Sequence, residues 1–464
     1  MYPQPAIKRP KTGREVKTEF LEFFPGIHRI EYKPDTPFSS ENGLFYRYYN
    51  ASERIHGRTM EDWLRPAIFL GKAFTPNLYS CIKPWNDNSQ TLDNYKKGIR
   101  AMFELCIKLG VKYWAGYDGD LVPESENFDE NQNNLEIIIN FVQEYQQKTG
   151  IKPLWFGADL KNNSRYVNGA FTNSEASIVT YAGYQVKQAL QIANKLGSEC
   201  FMLSPFQENY GSLLNTDLTK EIKHFAKFIK TIYDQKEKIG YNGQMLMQTV
   251  PDEGETTGIT QYCRDFFSCT SFLKQFNLDK YFKMNVKPGH EFHMAKLYGL
   301  LGSVDVKEKD LLDIKSGIYL LRTVVENGGM APGGLTFYLP SHNAPFDPKD
   351  LIEGYISAID NYAKSLRIAV KLVNDAQLNK SIQMRYLSFS SGWGARIDNS
   401  DISLDDCEEQ IKKQEIHSFP QPISSHYEHC LMVVTRYTDT TLKFMYFLGI
   451  FLRSKREIRG LRKR

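Results

Sequence analysis

Phe282-Lys283-Met284-Asn285-Val286-Lys287 is the sixth of eight short β-rich segments that recur along this chain, and the count of those segments decides the fold. The other seven are Ala67–Leu70, Lys112–Tyr117, Leu154–Ala158, Cys200–Ser204, Met245–Val250, Ser303–Val306 and Leu335–Leu339. Amphipathic helical stretches separate them, which is the alternation of a parallel α/β fold. Between the fourth and fifth, Leu218, Ile222, Phe225, Ile229 and Ile232 recur with the period of one buried helix face, and Asp217 stands ready to cap it. Eight strands with intervening helices predict a closed (β/α)8 TIM barrel; counting alone leaves an open doubly wound sheet as the alternative.

The chain has 464 residues, enough for a barrel of ~250 residues with extensions. Its 41% hydrophobic and 24% charged content is that of a soluble globular protein. The seven cysteines are odd in number and form no C-x-x-C pair, so neither a disulfide framework nor a zinc site is expected. Cysteine usage, the lack of a secretory h-region and the lack of a membrane-length apolar run predict an intracellular protein, cytoplasmic by default. A mitochondrial or membrane-associated assembly is the alternative, since the stretch to Lys17 has five basic residues and one acid; prolines 3, 5 and 10 oppose an amphipathic helix there. The net charge of +4 is unevenly spread: residues 453–464 hold +6 and the remainder −2. The body therefore offers no electrostatic footprint for nucleic acid.

A stronger signal comes from longer stretches. Phe24-Pro25-Gly26-Ile27, Tyr48-Tyr49-Asn50, Arg58-Thr59-Met60-Glu61-Asp62-Trp63-Leu64-Arg65, Leu213-Leu214-Asn215-Thr216-Asp217, Leu278-Asp279-Lys280-Tyr281-Phe282-Lys283, Gly302-Ser303-Val304-Asp305 and Gly328-Gly329…Gly333-Gly334-Leu335 follow one another as in the xylose isomerases. Over roughly residues 20 to 437 the chain resembles that family. The resemblance implies a TIM barrel with a C-terminal extended helical arm. It divides the chain into a lead-in (1–65), the barrel (66–375), the arm (376–437) and an apolar-basic tail (438–464). In the family such an arm wraps a neighbouring subunit, so oligomerisation is expected.

Xylose isomerases move hydride between C1 and C2 of an open-chain aldose, with two divalent cations held by Glu, Asp and His. Such hard ions need oxygen ligands and neutralising charge. This chain departs from the pattern at almost every such position. The family's F-H-D-x-D reads Gly116-Tyr117-Asp118-Gly119-Asp120, with Tyr117 in place of the ring-opening His and Asp120 retained. The metal-binding Glu and catalytic Lys of the fifth strand become Gln248 and Val250. The bridging Glu of the sixth becomes Lys287, and the Asp of the eighth becomes Tyr338. Asp305 is the clear survivor, while His290, Asp310 and Asp313 are imperfect matches to further ligands. A unit charge ~4 Å from a divalent ion is worth ~8 kcal/mol at an effective dielectric of ~20, so Glu replaced by Lys turns attraction into repulsion.

The resemblance thus predicts a pseudoenzyme that needs no cofactor and acts as a structural or binding subunit. The rival is an active isomerase with a rebuilt Mg or Mn site drawing on Asp305, Asp310, Asp313, His290 and Gln248. Lys287 could also serve as a Schiff-base lysine, but filling the vacated metal position and pairing with Asp305 is the plainer expectation. For Tyr117 and Asp120, a packed hydrogen-bonded pair is expected over an acid–base pair. Protein partners are expected to engage the arm and tail. Within the tail, Phe444–Leu452 is a run of nine apolar or Gly residues beside the basic cluster, suited to a partner surface or, over 444–464, to peripheral contact with anionic lipid.

Overall fold

The computed structural model describes residues 22–37, 44–76, 82–123, 127–249, 260–339, 347–413 and 425–437. Val250 and the tail from 438 lie outside these. Eight parallel strands close into one barrel: β1 Pro66–Phe69, β2 Tyr113–Tyr117, β3 Lys152–Gly157, β4 Cys200–Leu203, β5 Gln244–Gln248, β6 Phe282–Val286, β7 Leu301–Val306 and β8 Leu335–Phe337. Closure is made by β8 on β1, with Phe337 opposite Ile68, and all neighbouring strands run parallel. All eight expected strands are present, so the open doubly wound alternative is excluded by the β8–β1 pairing.

The helices between strands start and stop where local chemistry directs. Helix α1 (Leu92–Leu109) begins at Thr91, whose side chain accepts from the Asn94 N–H, and ends at Gly110 in the left-handed region (φ 68°). Next come α2 (Phe128–Thr149), α3 (Ala176–Lys195) and α4 (Leu218–Lys238). Asp217 caps α4 through the Lys220 N–H, and Phe225, Ile229 and Ile232 are buried on its inner face as the spacing predicts, whereas Ile222 is half-buried and Leu218, at the helix start, is exposed. Helices α5 (Phe266–Gln275), α6 (His290–Leu297), α7 (Ile314–Glu326) and α8 (Pro348–Val373) complete the ring. No described helix is long and apolar enough to cross a membrane.

The lead-in is packed into the barrel's outer core. Phe23, Phe24, Tyr46, Tyr49 and Trp63 are buried in the same cluster as the helix faces. Two polar anchors hold it. Glu104 on α1 accepts from the Phe23 and Phe24 N–H groups, and Asp360 on α8 accepts from Arg47, Tyr48 and Tyr49 N–H at 2.7–2.8 Å. A carboxylate that gathers three backbone donors fixes a chain whose own ladders are only two residues long.

After α8 the arm leaves the barrel as α9 (Ala376–Arg385), α10 (Gly392–Asn399) and α11 (Leu404–Lys413). None of these three helices has a buried residue among those described. The following α12 (Ser425–Tyr437) returns to the barrel, where Leu431 is buried against Ile318 and Ile368. Its Glu428 accepts from Tyr319 Oη at 2.7 Å and pairs with Lys315 at 2.6 Å.

Candidate functional site

Strand side chains alternate between two faces, so each barrel strand sends every second residue inward. Ala67, Ala115, Trp155, Cys200, Met202 and Leu246 form the dry inner layers, while Ile68, Trp114, Phe156, Phe201 and Met245 face the surrounding helices. Continuing the inward parity to the C-terminal ends brings Phe69, Tyr117, Ser204, Gln248, Asn285, Asp305 and Tyr338 to the mouth, where TIM-barrel chemistry resides.

Gln248 sits at the centre of that ring. Its side-chain oxygen accepts from Ser204 Oγ at 2.6 Å and Tyr117 Oη at 3.0 Å, and its amide nitrogen donates to Asp305 Oδ2. Tyr117 Oη and Ser204 Oγ are themselves 2.9 Å apart. Chemistry fixes the orientation of this amide: a carboxylate can only accept, so the NH2 end must face Asp305.

Aromatic rings cover the same mouth. Phe69 lies 4.3 Å from Tyr338, centroid to centroid, and Tyr117 lies 5.1 Å from Trp155, whose indole N–H donates to Thr336 Oγ1 at 2.7 Å. Gly157 makes this possible, because a Cβ there would meet the Met202 carbonyl at 2.5 Å and the Tyr117 ring at 3.2 Å.

The electrostatics follow from burial. Asp305 is pushed up to about 6 by desolvation, against the opposing influence of Asn285, Lys307, Tyr338 and Gln248. The phenols of Tyr117 and Tyr338 are raised well above their ordinary value, first by burial and then by the negative charge of Asp305. They act as neutral donors. Among the described residues Asp305 Oδ1 and both amide atoms of Asn285 lack a well-formed hydrogen bond, although Asn285 is only 1% exposed.

Beside the mouth, Asp120 is driven up to about 8 by burial and by Asp159 and Asp118, and Asp118 to about 6 by burial. Asp118 accepts from the Asp159 N–H and from Gln185 Nε2.

The expected pairing of Tyr117 with Asp120 is corrected in detail: Asp120 accepts from the backbone N–H of Tyr117 at 2.9 Å, while the phenol crosses the barrel to Ser204 and Gln248. The other sequence candidates fall as follows. Lys287 stands half-buried just past β6, whereas the leading cationic influence on Asp305 is that of Lys307. His290 opens α6, is exposed, and its ring lies 6.2 Å from Phe267. Asp313 caps α7 through the Lys315 and Ser316 N–H groups. Asp310 lies beside Tyr362, whose hydroxyl donates to the Asp310 carbonyl at 3.3 Å. Gln248, Asp305 and Tyr338 are brought together; Asp313 and His290 serve elsewhere. Asn285, Phe69 and Trp155 emerge as site residues only in three dimensions, although inward parity on each strand was a signal that could have found them.

These residues do not fit a two-metal centre. Gln248 turns its carbonyl oxygen away to Tyr117 and Ser204 and points N–H at Asp305, and Tyr338 and Lys287 bring no anionic ligand to the mouth. Among the described residues no group of three or more His, Cys, Asp or Glu side chains is arranged to hold a metal ion.

Fold and mouth together define a (β/α)8 barrel whose inward polar residues gather at the C-terminal ends of its strands. The chain is 35% identical to xylose isomerase of Hordeum vulgare over 403 residues, covering 81% of this chain and 83% of that protein. It is 32% identical to the Rhodopirellula baltica xylose isomerase, with 90% and 99% covered. The family model described as the XylA2 C-terminal domain matches residues 382–438, that is, most of the arm. Among solved structures, a xylose isomerase domain protein from Alicyclobacillus acidocaldarius aligns at 11% identity and a TM-score of 0.42, covering 66% of this chain and 99% of that one. The chain belongs to the xylose isomerase family.

Proposed function

We propose that this protein is a xylose-isomerase-like pseudoenzyme that persists as a structural or binding subunit of a larger assembly. The observation that carries the reading is the Gln248 amide, which occupies the mouth as a hydrogen-bonded bridge between Tyr117, Ser204 and Asp305. Where a metal-dependent isomerase needs converging lone pairs, this mouth turns the Gln248 oxygen towards two hydroxyl donors and its N–H towards Asp305. The loss is distributed, since Gln248, Lys287 and Tyr338 differ independently and lie on three strands or the loops that follow them.

Calorimetric titration with Mg²⁺, Mn²⁺ and Co²⁺, alongside an aldose–ketose interconversion assay on D-xylose, tests this. No stoichiometric metal binding and no turnover are expected. Two ions bound per chain at micromolar affinity, or turnover that requires metal, would establish instead an active isomerase with a rebuilt site. Purification from the native source without overexpression, followed by sizing and mass spectrometry, tests the assembly: a stable hetero-complex is expected, and a free homo-oligomer refutes it.

A further inference from the structure

Cys263 and Cys269 flank the start of α5, and both are fully buried. The helix cap brings them together. Asp265 accepts from the Ser268 N–H at 2.8 Å while its own N–H donates to Ser268 Oγ at 3.0 Å, so the chain entering the helix lies against its first turn. Cys269 is the next helical residue, and its Sγ donates to the Cys263 carbonyl at 3.5 Å. The two thiols also act on each other: burial first, and then the Cys263 thiol, raise Cys269 well above its ordinary value. Packing at these positions asks only for two small apolar side chains, which leaves the paired sulfurs unexplained by the core.

We propose that Cys263 and Cys269 are a redox-modification site that closes into a disulfide when the folded chain meets hydrogen peroxide. The sulfur of one thiol attacks a peroxide oxygen and becomes a sulfenic acid, with release of one water. The second thiol attacks that sulfur, its proton leaves with the hydroxyl as a second water, and the S–S bond forms. Two electrons pass from the sulfurs to the peroxide. Burial and the raised Cys269 thiol make the first step slow, while the second is fast because the resolving thiol is already in place. The pair is therefore a slow lock and not a quick sensor. What it locks is the approach to α5. There Gln261 Nε2 donates to the Phe206 carbonyl at 2.7 Å, the Tyr262 N–H to the Glu208 carbonyl at 3.0 Å, and Tyr262 Oη to Glu221 on α4 at 2.7 Å. The disulfide staples to α5 a segment that holds the loop beginning at Ser204, one of the mouth residues. It does so whether or not the mouth binds metal or turns over a sugar.

Non-reducing peptide mapping of the full chain, before and after incubation with millimolar hydrogen peroxide in native buffer, reads the bond directly. Trypsin cuts after Arg264, between the two cysteines, so the disulfide leaves two peptides joined and two hydrogens lighter than their sum. The joined pair is expected to accumulate over hours and to disappear with dithiothreitol. Amide exchange over residues 261–265 should slow several-fold on oxidation, and should not change in C263S or in C269A. Sulfoxide at the exposed Met384 reports that the oxidant acted. With that signal present, absence of the joined pair overturns the proposal, as does sulfinic acid on either cysteine in its place. A joined pair that forms only in urea overturns it too, because the bond would then belong to the unfolded chain. Exchange unaltered by a bond that does form would refute the staple.

Discussion

Replacing Gln248 by Glu supplies the carboxylate that the family resemblance implies at this position and asks what the mouth does with it. The change is confined to one contact. Tyr117 and Ser204 can donate to a carboxylate oxygen as they do to the amide oxygen, whereas the N–H that faced Asp305 Oδ2 is gone. Loss of a hydrogen bond to a charged group removes about 1.5–3 kcal/mol. Two carboxylates at hydrogen-bonding distance cannot both ionise, so the folded protein keeps a proton that the unfolded chain releases near pH ~4. Burial has already pushed Asp305 to about 6, and a second acid beside it moves the pair higher. The sign follows: the folded-state value is raised, so the stability difference is smallest below about pH 4 and grows as pH rises through the folded value, by ~1.4 kcal/mol per pH unit. Urea unfolding of Gln248→Glu and the unaltered protein should diverge by roughly 3 kcal/mol or more between about pH 5 and about pH 8. Millimolar Mg²⁺ should not rescue the variant, because Lys287 and Tyr338 remain. A difference that is flat with pH would place the two side chains apart. Rescue by Mg²⁺ of several kcal/mol would show a competent metal site and refute the reasoning.

Lys287→Glu alone should leave D-xylose turnover at background in a coupled ketose assay, since Gln248 and Tyr338 still withhold ligands; robust isomerisation would overturn the pseudoenzyme reading. Asp120→Asn should stabilise the fold increasingly as pH rises from about 4 towards about 8, because the buried carboxyl that it removes is held up to about 8 in the folded state and loses its proton at a cost; equal melting temperatures across that range would contradict it. Leu431→Ala should release α12 without unfolding the barrel, costing on the order of 2–5 kcal/mol locally, and limited proteolysis should then cut between α11 and α12 faster while the thermal midpoint changes little.

Local order was legible in the sequence because local chemistry produces it. Eight short β-rich runs between amphipathic helices pointed to a parallel α/β fold, the family resemblance favoured the closed barrel over an open sheet, and most of the buried face of α4 with its Asp217 cap was visible in spacing alone. The departures from the pattern that the resemblance implies were equally plain, since an amide at 248, a lysine at 287 and a tyrosine at 338 are facts of composition at fixed positions. What those groups do was decided by the tertiary structure. Gln248 finds Tyr117 from 131 residues away and Asp305 from 57, and the direction of its amide depends on both at once. The family resemblance marked Asp305 as the clear match and Asp313 as an imperfect one, but only the tertiary structure shows that Asp305 is buried within β7 at the mouth while Asp313 caps α7 in solvent. A carboxylate's role is set by which donors the fold brings to it and by how much water it leaves there, and neither quantity is a property of the residue or of its neighbours in the chain.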